Sequence, residues 1–466
     1  MAREPTTRLA ISGHRFLLRR AEHALVRRDV RMVDEPMRAQ ARSLVTGCAL
    51  AVVAVAGCAI LAFIRPPDAL GDAPIVMVRE SGALYVRIGD TLHPALNLAS
   101  ARLIAGTAAS PEIIKESELR NAKRGALLGI PGAPALLPEP LGADESQWTA
   151  CDDANGTTVI AGAATGAQAL ANGRTTLVRS RSDAVTYLLH DGYRARVSVA
   201  EPAAVKALRL EGIEPADVSS AVLNAIPEAP SITAPVIPAA GQRGPSSLGG
   251  IPVGSVVRVD RADADELYVV LAGGVQRVGH VGADIVRFSD SQGARDIVTV
   301  AADAIGATPT VETLPITTFP DMVAAPTRDD VVCAQWLPGD TTEGRSTVLT
   351  GSAVPLATGQ APVGLAQADG LGPNADAVFV PPGRSVYAES THRYLIADTG
   401  VRFGVPDAES AVALGLPPRA LPAPWPILKL LADGPELSRS AALVAHDGVA
   451  PDPRAIALPG TAVAPR

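Results

Sequence analysis

The chain has 466 residues, a net charge of −7 and only 3% aromatic residues. It is too long for one ordinary domain, and its acidic balance argues against a nucleic-acid binder. With 42 glycines and 40 prolines, regular elements should be short and turns frequent.

Charge is distributed unevenly from the first residues onward. Residues 1–42 carry ten arginines against five acids, a net of +5, which leaves −12 for the remainder. Within this leader, "TRLAISGHRFLLRRAEHALVRRDVRM" (7–32) reads as two parts: an apolar stretch ending at Ser12-Gly13, then a helix with Leu17, Ala21 and Leu25 on one stripe. Arg8, Arg15, Arg19, Arg20, Arg27 and Arg28 are the candidate docking residues. They suit either anionic lipid headgroups or a cytoplasmic partner.

The run "LVTGCALAVVAVAGCAILAFI" (44–64) follows, uncharged and bracketed by Arg42 and Arg65. At about 1.5 Å per residue it makes roughly 30 Å of helix, the thickness of a hydrocarbon core. We therefore expect one transmembrane helix at 43–65, a cytoplasmic segment at 1–42 and the rest outside the inner membrane, by the positive-inside tendency. The leader and apolar run are both long for a signal peptide. A lipoprotein cut before Cys58 competes through "VAGC" (55–58), but the apolar run continues from Ala59 to Ile64. Cys48 and Cys58 then serve as small apolar residues of the span.

Beyond the span, one pattern recurs four times: an apolar strand pair, a Gly or Asp turn, another strand, an alanine-rich helix and a Pro-containing loop. The strand portions begin at 75–96, 176–199, 251–279 and 380–406, and each holds a tyrosine in an apolar triplet: Tyr85, Tyr187, Tyr268 and Tyr394. The fold class expected is α+β, with four small repeats around a central β domain and pseudo-two-fold organisation. The divisions are repeat 1 at 75–137, central domain first half at 138–175, repeat 2 at 176–230, a linker at 231–250, repeat 3 at 251–310, central domain second half at 311–379, repeat 4 at 380–440 and a Pro-rich tail at 441–466. Strands of the central domain are expected at 157–162, 310–317 and 346–357, with Asn155-Gly156 as a hairpin turn.

The two halves keep register. Tyr85 and Tyr268 are 183 residues apart, and Cys151 and Cys333 are 182 apart. Equivalent residues near a pseudo-two-fold axis meet, so a Cys151–Cys333 disulfide is expected, in a compartment that permits one. The competing arrangement is two buried free thiols. Trp148 and Trp336, each three residues from its cysteine, are expected to pack beside the bridge. Asp152, Asp153, Asp329 and Asp330 read as solvated turn residues.

The leader "TTRLAISGHRFLLRRAEHALVRRDVRM" before a single span, with "YLIADTGVRFGVP" far downstream, resembles the EccB family of type VII (ESX) secretion membrane components. The likeness is most specific at 6–38 and 378–406 and extends over nearly the whole chain. It implies a structural core component of an inner-membrane complex with EccC, EccD and EccE. It also implies four repeats around a stapled β domain, and self-association through the periplasmic region. Members of the family are described as ATPases, so the resemblance implies ATP as a ligand to consider. The residues themselves offer no P-loop, since Lys115, Lys123, Lys206 and Lys429 are the only lysines and none follows glycine. No cofactor is evident, and the seven histidines lack metal-ligand spacing. "CDDANG" departs from a calcium loop at its first position, Cys151, and its twelfth, Gly162. The main expectation is a structural anchor. An atypical ATPase and a cell-wall-contacting repeat protein are the alternatives.

Overall fold

The computed structural model describes residues 7–28, 36–64, 71–170, 173–261, 264–339, 344–370 and 372–446. It divides into two compact units, residues 1–72 with 115–121, and the remainder.

Among its described residues the first unit holds two α-helices and the short 3-10 helix Glu116–Asn121. One runs Arg8–Arg27, capped by Thr7, whose Oγ1 accepts from the Ala10 amide at 3.3 Å. The break expected at Ser12-Gly13 is absent. An interior glycine costs only about 1 kcal/mol relative to alanine, too little to end a helix, and the Ser12 hydroxyl donates to the Leu9 carbonyl at 3.0 Å within it. The second helix, Pro36–Ile64, starts seven residues ahead of the expected span boundary, with proline in its first turn, where no amide partner is lost. Its stretch Ala41–Leu61 is long and apolar enough to cross a membrane. Cys48 and Cys58 are exposed, unbridged thiols on this helix.

The second unit repeats one topology four times. A three-stranded antiparallel meander leads to a helix, and the chain then returns parallel to the first strand and finally parallel to the third. In repeat 1 the meander is Ile75–Val78, Leu84–Ile88 and Thr91–Ala95, followed by helix Leu98–Ala105 and the returns Glu112–Ile114 and Leu127–Leu128. Repeat 2 places Thr176–Ser180, Thr186–His190 and Tyr193–Val197 before helix Pro202–Ala207. Its returns are Ala216–Val218 and Glu228–Ile232. Repeat 3 has Val256–Val259, Glu266–Leu271 and Gly274–Val278, helix His280–Ser289 and the return Val298–Thr299. A single bridge from Val275 to Thr310 takes the last place. Repeat 4 has Val386–Glu389, Arg393–Ile396 and Val401–Val405, helix Ala408–Leu414 and the returns Leu421–Pro422 and Ala432–Asp433. All four tyrosines sit on the middle strand, paired on both sides: Tyr187, for example, faces Val178 and Arg196. The helices of repeats 1 and 4 share caps as well. Asn97 and Asp407 each accept from the third amide onward, and Gly106 and Gly415 end the helices at φ 68° and 82°, a conformation glycine adopts without a Cβ penalty.

Repeats associate in pairs. Repeats 1 and 4 share a core in which Ile75, Leu103 and Leu128 meet Leu395, Phe403 and Leu414. Repeats 2 and 3 share another, in which Leu177, Leu188 and Leu208 meet Val281 and Ile285. A half-turn exchanging the two halves of the chain would map one pair onto the other. The stretch 230–250 joins repeats 2 and 3 and is itself packed: Leu248 is buried against Val257 and Val275, and Gly241 and Gly244 bond to the backbone of Val253 and Ile251. At the other end, helix Arg439–Ala442 and strand Ala445–His446 fold back onto repeat 1, where the strand pairs with Leu127–Leu128. Of the expected Pro-rich tail, 441–446 therefore completes a helix and adds the strand Ala445–His446 to a sheet, and 447–466 lies outside the described residues.

Between the pairs stands a seven-stranded sheet. Hairpin Trp148–Asp153/Gly156–Ala161 lies antiparallel to hairpin Val331–Leu337/Arg345–Gly351. Each half then lends its outer strand to the other. Gln168–Ala169 joins Arg345–Gly351, and Ala377–Phe379 joins Gly156–Ala161. The expected strand at 310–317 does not form beyond its single bridge. Leu314 and Ile316 instead pack into repeat 3, with the Gln276 side chain bonding the Leu314 amide and carbonyl. The run 346–357 is strand only to Gly351.

Candidate functional site

Cys151 and Cys333 are directly opposite on neighbouring antiparallel strands and form a disulfide across 182 residues of chain. Three positions along, Trp148 is opposite Trp336. The reversed order of the two motifs, Trp before Cys and then Cys before Trp, is what lets an antiparallel pair set Trp opposite Trp while Cys faces Cys. The expectation that the tryptophans pack beside the bridge is wrong. An offset of three is odd, so strand alternation puts them on opposite faces. Trp148 and Trp336 lie with Ala150, Val159, Val332 and Val348 under helices Ser220–Ala225 of repeat 2 and Trp425–Leu428 of repeat 4. The disulfide lies on the other face with Ile160, Val331, Leu349 and Phe379.

Asp152 faces the tryptophan side and is 3% exposed, so it is not a solvated turn residue. Its carboxylate accepts from Thr157 Oγ1 at 2.7 Å, from Ser219 Oγ at 2.9 Å and from the Ser219 amide. Ser219 is the N-cap of helix Ser220–Ala225, so one carboxylate ties the stapled sheet to repeat 2. Burial pushes the Asp152 pKa above its ordinary value, against the opposing pull of these hydrogen bonds. Asp376, unmarked by any sequence signal and just ahead of strand Ala377–Phe379, ties the same hairpin to the loop that precedes that strand. It accepts from the Thr157 amide at 2.7 Å and the Gly370 amide at 2.5 Å. The turn between the first two strands centres on Ala154-Asn155, one residue earlier than expected. Gly156 follows at φ 127°, where an added Cβ would lie 2.2 Å from the Asp376 carboxylate.

The four acids of the sequence motifs do converge. Asp152, Asp153, Asp329 and Asp330 line one open cleft of about 230 Å³ with Asp217, Arg181 and Arg328. Asp153 caps its own turn through the Asn155 amide at 2.7 Å, and Arg328 reaches Glu214 at 3.4 Å. Among the described residues no cluster of His, Cys, Asp or Glu is arranged to hold a metal ion.

The third tryptophan explains the downstream signature. In "YLIADTGVRFGVP", Arg402 is buried, with its guanidinium carbon 4.8 Å from the Trp425 ring and 5.1 Å from the Tyr394 ring. It also pairs with Asp433 and donates to the Leu428 carbonyl at 3.2 Å. Arg402 thereby fixes helix Trp425–Leu428, one of the two covering the tryptophan face of the central sheet. Sequence reasoning did not single out Arg402; its place among aromatic residues of the signature was the available signal. An open groove of about 450 Å³ beside this stack is lined by Glu389, His392, Arg393, Tyr394 and Glu436, among others.

The six leader arginines are all exposed, and so are Leu17, Ala21 and Leu25, so the apolar stripe has no partner within the described residues. The lysines are dispersed. Lys123 pairs with Asp90, Lys206 lies over the Phe288 ring at 6.0 Å, and Lys115 and Lys429 are exposed.

Among the described residues, one apolar helix long enough to span a bilayer precedes four copies of one small α+β topology around a disulfide-stapled sheet, and this combination defines a repeat-built scaffold with a candidate membrane anchor. The chain matches the family model described as "Type VII secretion system ESX-1, transport TM domain B" over residues 3–451, and it belongs to that family, EccB. It is 38% identical to the "ESX-3 secretion system ATPase EccB3" of Mycolicibacterium smegmatis, over 96% of this chain and 92% of that one. It is 34% identical to the "ESX-1 secretion system ATPase EccB1" of Mycobacterium tuberculosis, over 98% of each. Its fold superposes on a chain of an intact ESX-5 inner membrane complex with TM-score 0.74 and 32% identity, covering 99% of both. It also matches a chain of an EccB3 dimer from the ESX-3 core complex with TM-score 0.72 and 35% identity, covering 80% of this chain and 100% of that one.

Proposed function

We propose that this protein is a structural core component of a type VII secretion membrane complex. Its leader lies in the cytoplasm, its helix crosses the inner membrane once, and its repeat region stands in the periplasm. The carrying observation is the stapled sheet, whose disulfide belongs in an oxidising compartment. The charge of the leader supports the same orientation, since ten arginines precede the span. The repeat region assembles with further copies of itself. The leader helix docks the other membrane components, EccC, EccD and EccE, through Arg8, Arg15, Arg19, Arg20, Arg27 and Arg28 and its exposed Leu17–Leu25 stripe. Extraction in mild detergent with identification of co-purifying chains tests this. Recovery of the chain alone, under conditions that keep the complex intact, would refute it.

The relatives' names favour a second reading, ATP hydrolysis by this chain. Against it stand the dispersed lysines and the acidic lining of the 230 Å³ cleft, where a triphosphate would meet five carboxylates and two arginines. We therefore assign ATP turnover to a partner and no nucleotide to this chain. ATP turnover by the purified full chain that co-elutes with it and is abolished by substitution of one of its residues would overturn that assignment.

A further inference from the structure

The two faces of the stapled sheet are covered very differently. Over the tryptophans lie two helices and the folded repeats 2 and 4, with large side chains such as Leu223, Ile427 and Leu428. On the disulfide face the partly buried apolar side chains packed against the cluster form a layer drawn from irregular chain. Ala164, Ala167, Val354 and Leu356, all half-buried, are the side chains that close it. They come from two loops, 162–167 and 352–360, tied to each other by the Thr165 amide donating to the Pro355 carbonyl at 3.0 Å. The second loop belongs to the insertion that makes the second half longer than the first: Cys333 to Tyr394 is 61 residues, against 36 from Cys151 to Tyr187. Both sulfur-bearing residues are 0% exposed beneath this layer. Local opening free energies are lowest where apolar contacts are few and side chains small.

We propose that the 352–360 loop is a gate to the Cys151–Cys333 bridge. Its displacement alone admits a thiol–disulfide exchange reagent, a small dithiol or the active-site cysteines of an oxidoreductase, so the bridge opens and closes in an otherwise folded protein. In reduction, a reagent thiolate attacks one sulfur of the bridge, and the electron pair of the S–S bond leaves on the other sulfur as a thiolate. A second reagent thiol then displaces the first sulfur. The bridge gains two electrons and, on protonation, two protons, and the reagent departs as its disulfide. Oxidation runs the same steps in reverse.

The test uses the full chain in detergent with dithiothreitol, quenched by iodoacetamide. Labelling is read on the peptides holding Cys151 and Cys333, apart from Cys48 and Cys58. Replacing Val354 and Leu356 together by serine should raise the reduction rate at least about tenfold, because it removes apolar cover from the gate alone. Val222→Ala, in the helix over the opposite face, lowers global stability and should leave the rate within about twofold. Low urea should change the wild-type rate little, since local opening exposes little surface. The proposal is overturned if the loop variant reduces at the wild-type rate. It is also overturned if Val222→Ala accelerates reduction as much as the loop variant, or if the rate climbs with urea in parallel with unfolding of the tryptophan core.

Discussion

Removing the bridge measures what the staple contributes. It joins residues 182 apart, and the enclosed chain holds all of repeats 2 and 3. In the chain-entropy model, closing a loop of that length restricts the unfolded chain by about 5 kcal/mol at 25 °C. That is an upper figure, because a denatured chain retains some compactness. Cys151→Ala, Cys333→Ala and the double variant each open the same loop. The three should therefore lose similar stability, about 3–5 kcal/mol, and the double variant should lose far less than the sum of the singles. Trp148 and Trp336 supply the signal, since both are buried on the opposite face and fluoresce differently once solvated. Guanidinium titration of the full chain in detergent, followed at their emission, gives the midpoints. A double variant within about 1 kcal/mol of wild type, or additive losses in the singles, would refute the loop-closure reasoning.

Three further outcomes follow from the same geometry. Asp152→Asn should cost about 1–3 kcal/mol in denaturant titration, because both oxygens accept from Thr157 and Ser219 and an amide nitrogen there would face a donor. Since burial raises the Asp152 pKa, its contribution to stability is greatest below about 3.9 and declines as pH rises through its folded pKa, a component absent from the Asn variant. Burial lowers the pKa of His190, whose Nδ1 lies 3.2 Å from Asp191. Stability should therefore be lost as pH falls from about 6.5 through its folded pKa, and His190→Leu should flatten that slope in melts at pH 5–7.5. Arg402→Ala should lower stability by about 2–4 kcal/mol through loss of two ring contacts and a buried hydrogen bond, with Arg402→Lys recovering only part, as read by the Trp425 environment in near-UV dichroism.

Much of the architecture was legible because it is written in local pattern. The four tyrosine-centred triplets mark middle strands, since aromatic and β-branched residues favour a paired, partly buried strand. The matched 183- and 182-residue spacings carried the pseudo-symmetry and, through it, the disulfide. Local errors came from non-local competition. The 310–317 run has strand-like alternation, yet it satisfies its backbone through the Gln276 side chain and buries its leucine and isoleucine in repeat 3. Ser12-Gly13 looks like a stop but lies inside one helix. Asp152 looked solvated because a carboxylate beside an Asn-Gly turn usually is. Its partner Ser219 lies 67 residues away, beyond any local pattern.

The sequence by itself determined the span, the sidedness of charge, the four-fold repetition and which two cysteines are equivalent. These depend on composition and spacing, which folding does not alter. Only the tertiary structure decided that repeat 1 shares a core with 4 and repeat 2 with 3, that the halves exchange their outer strands, and that cysteines and tryptophans three residues apart take opposite faces. The face each side chain takes depends on the register of strands about 180 residues apart, and register is chosen by what each face must bury.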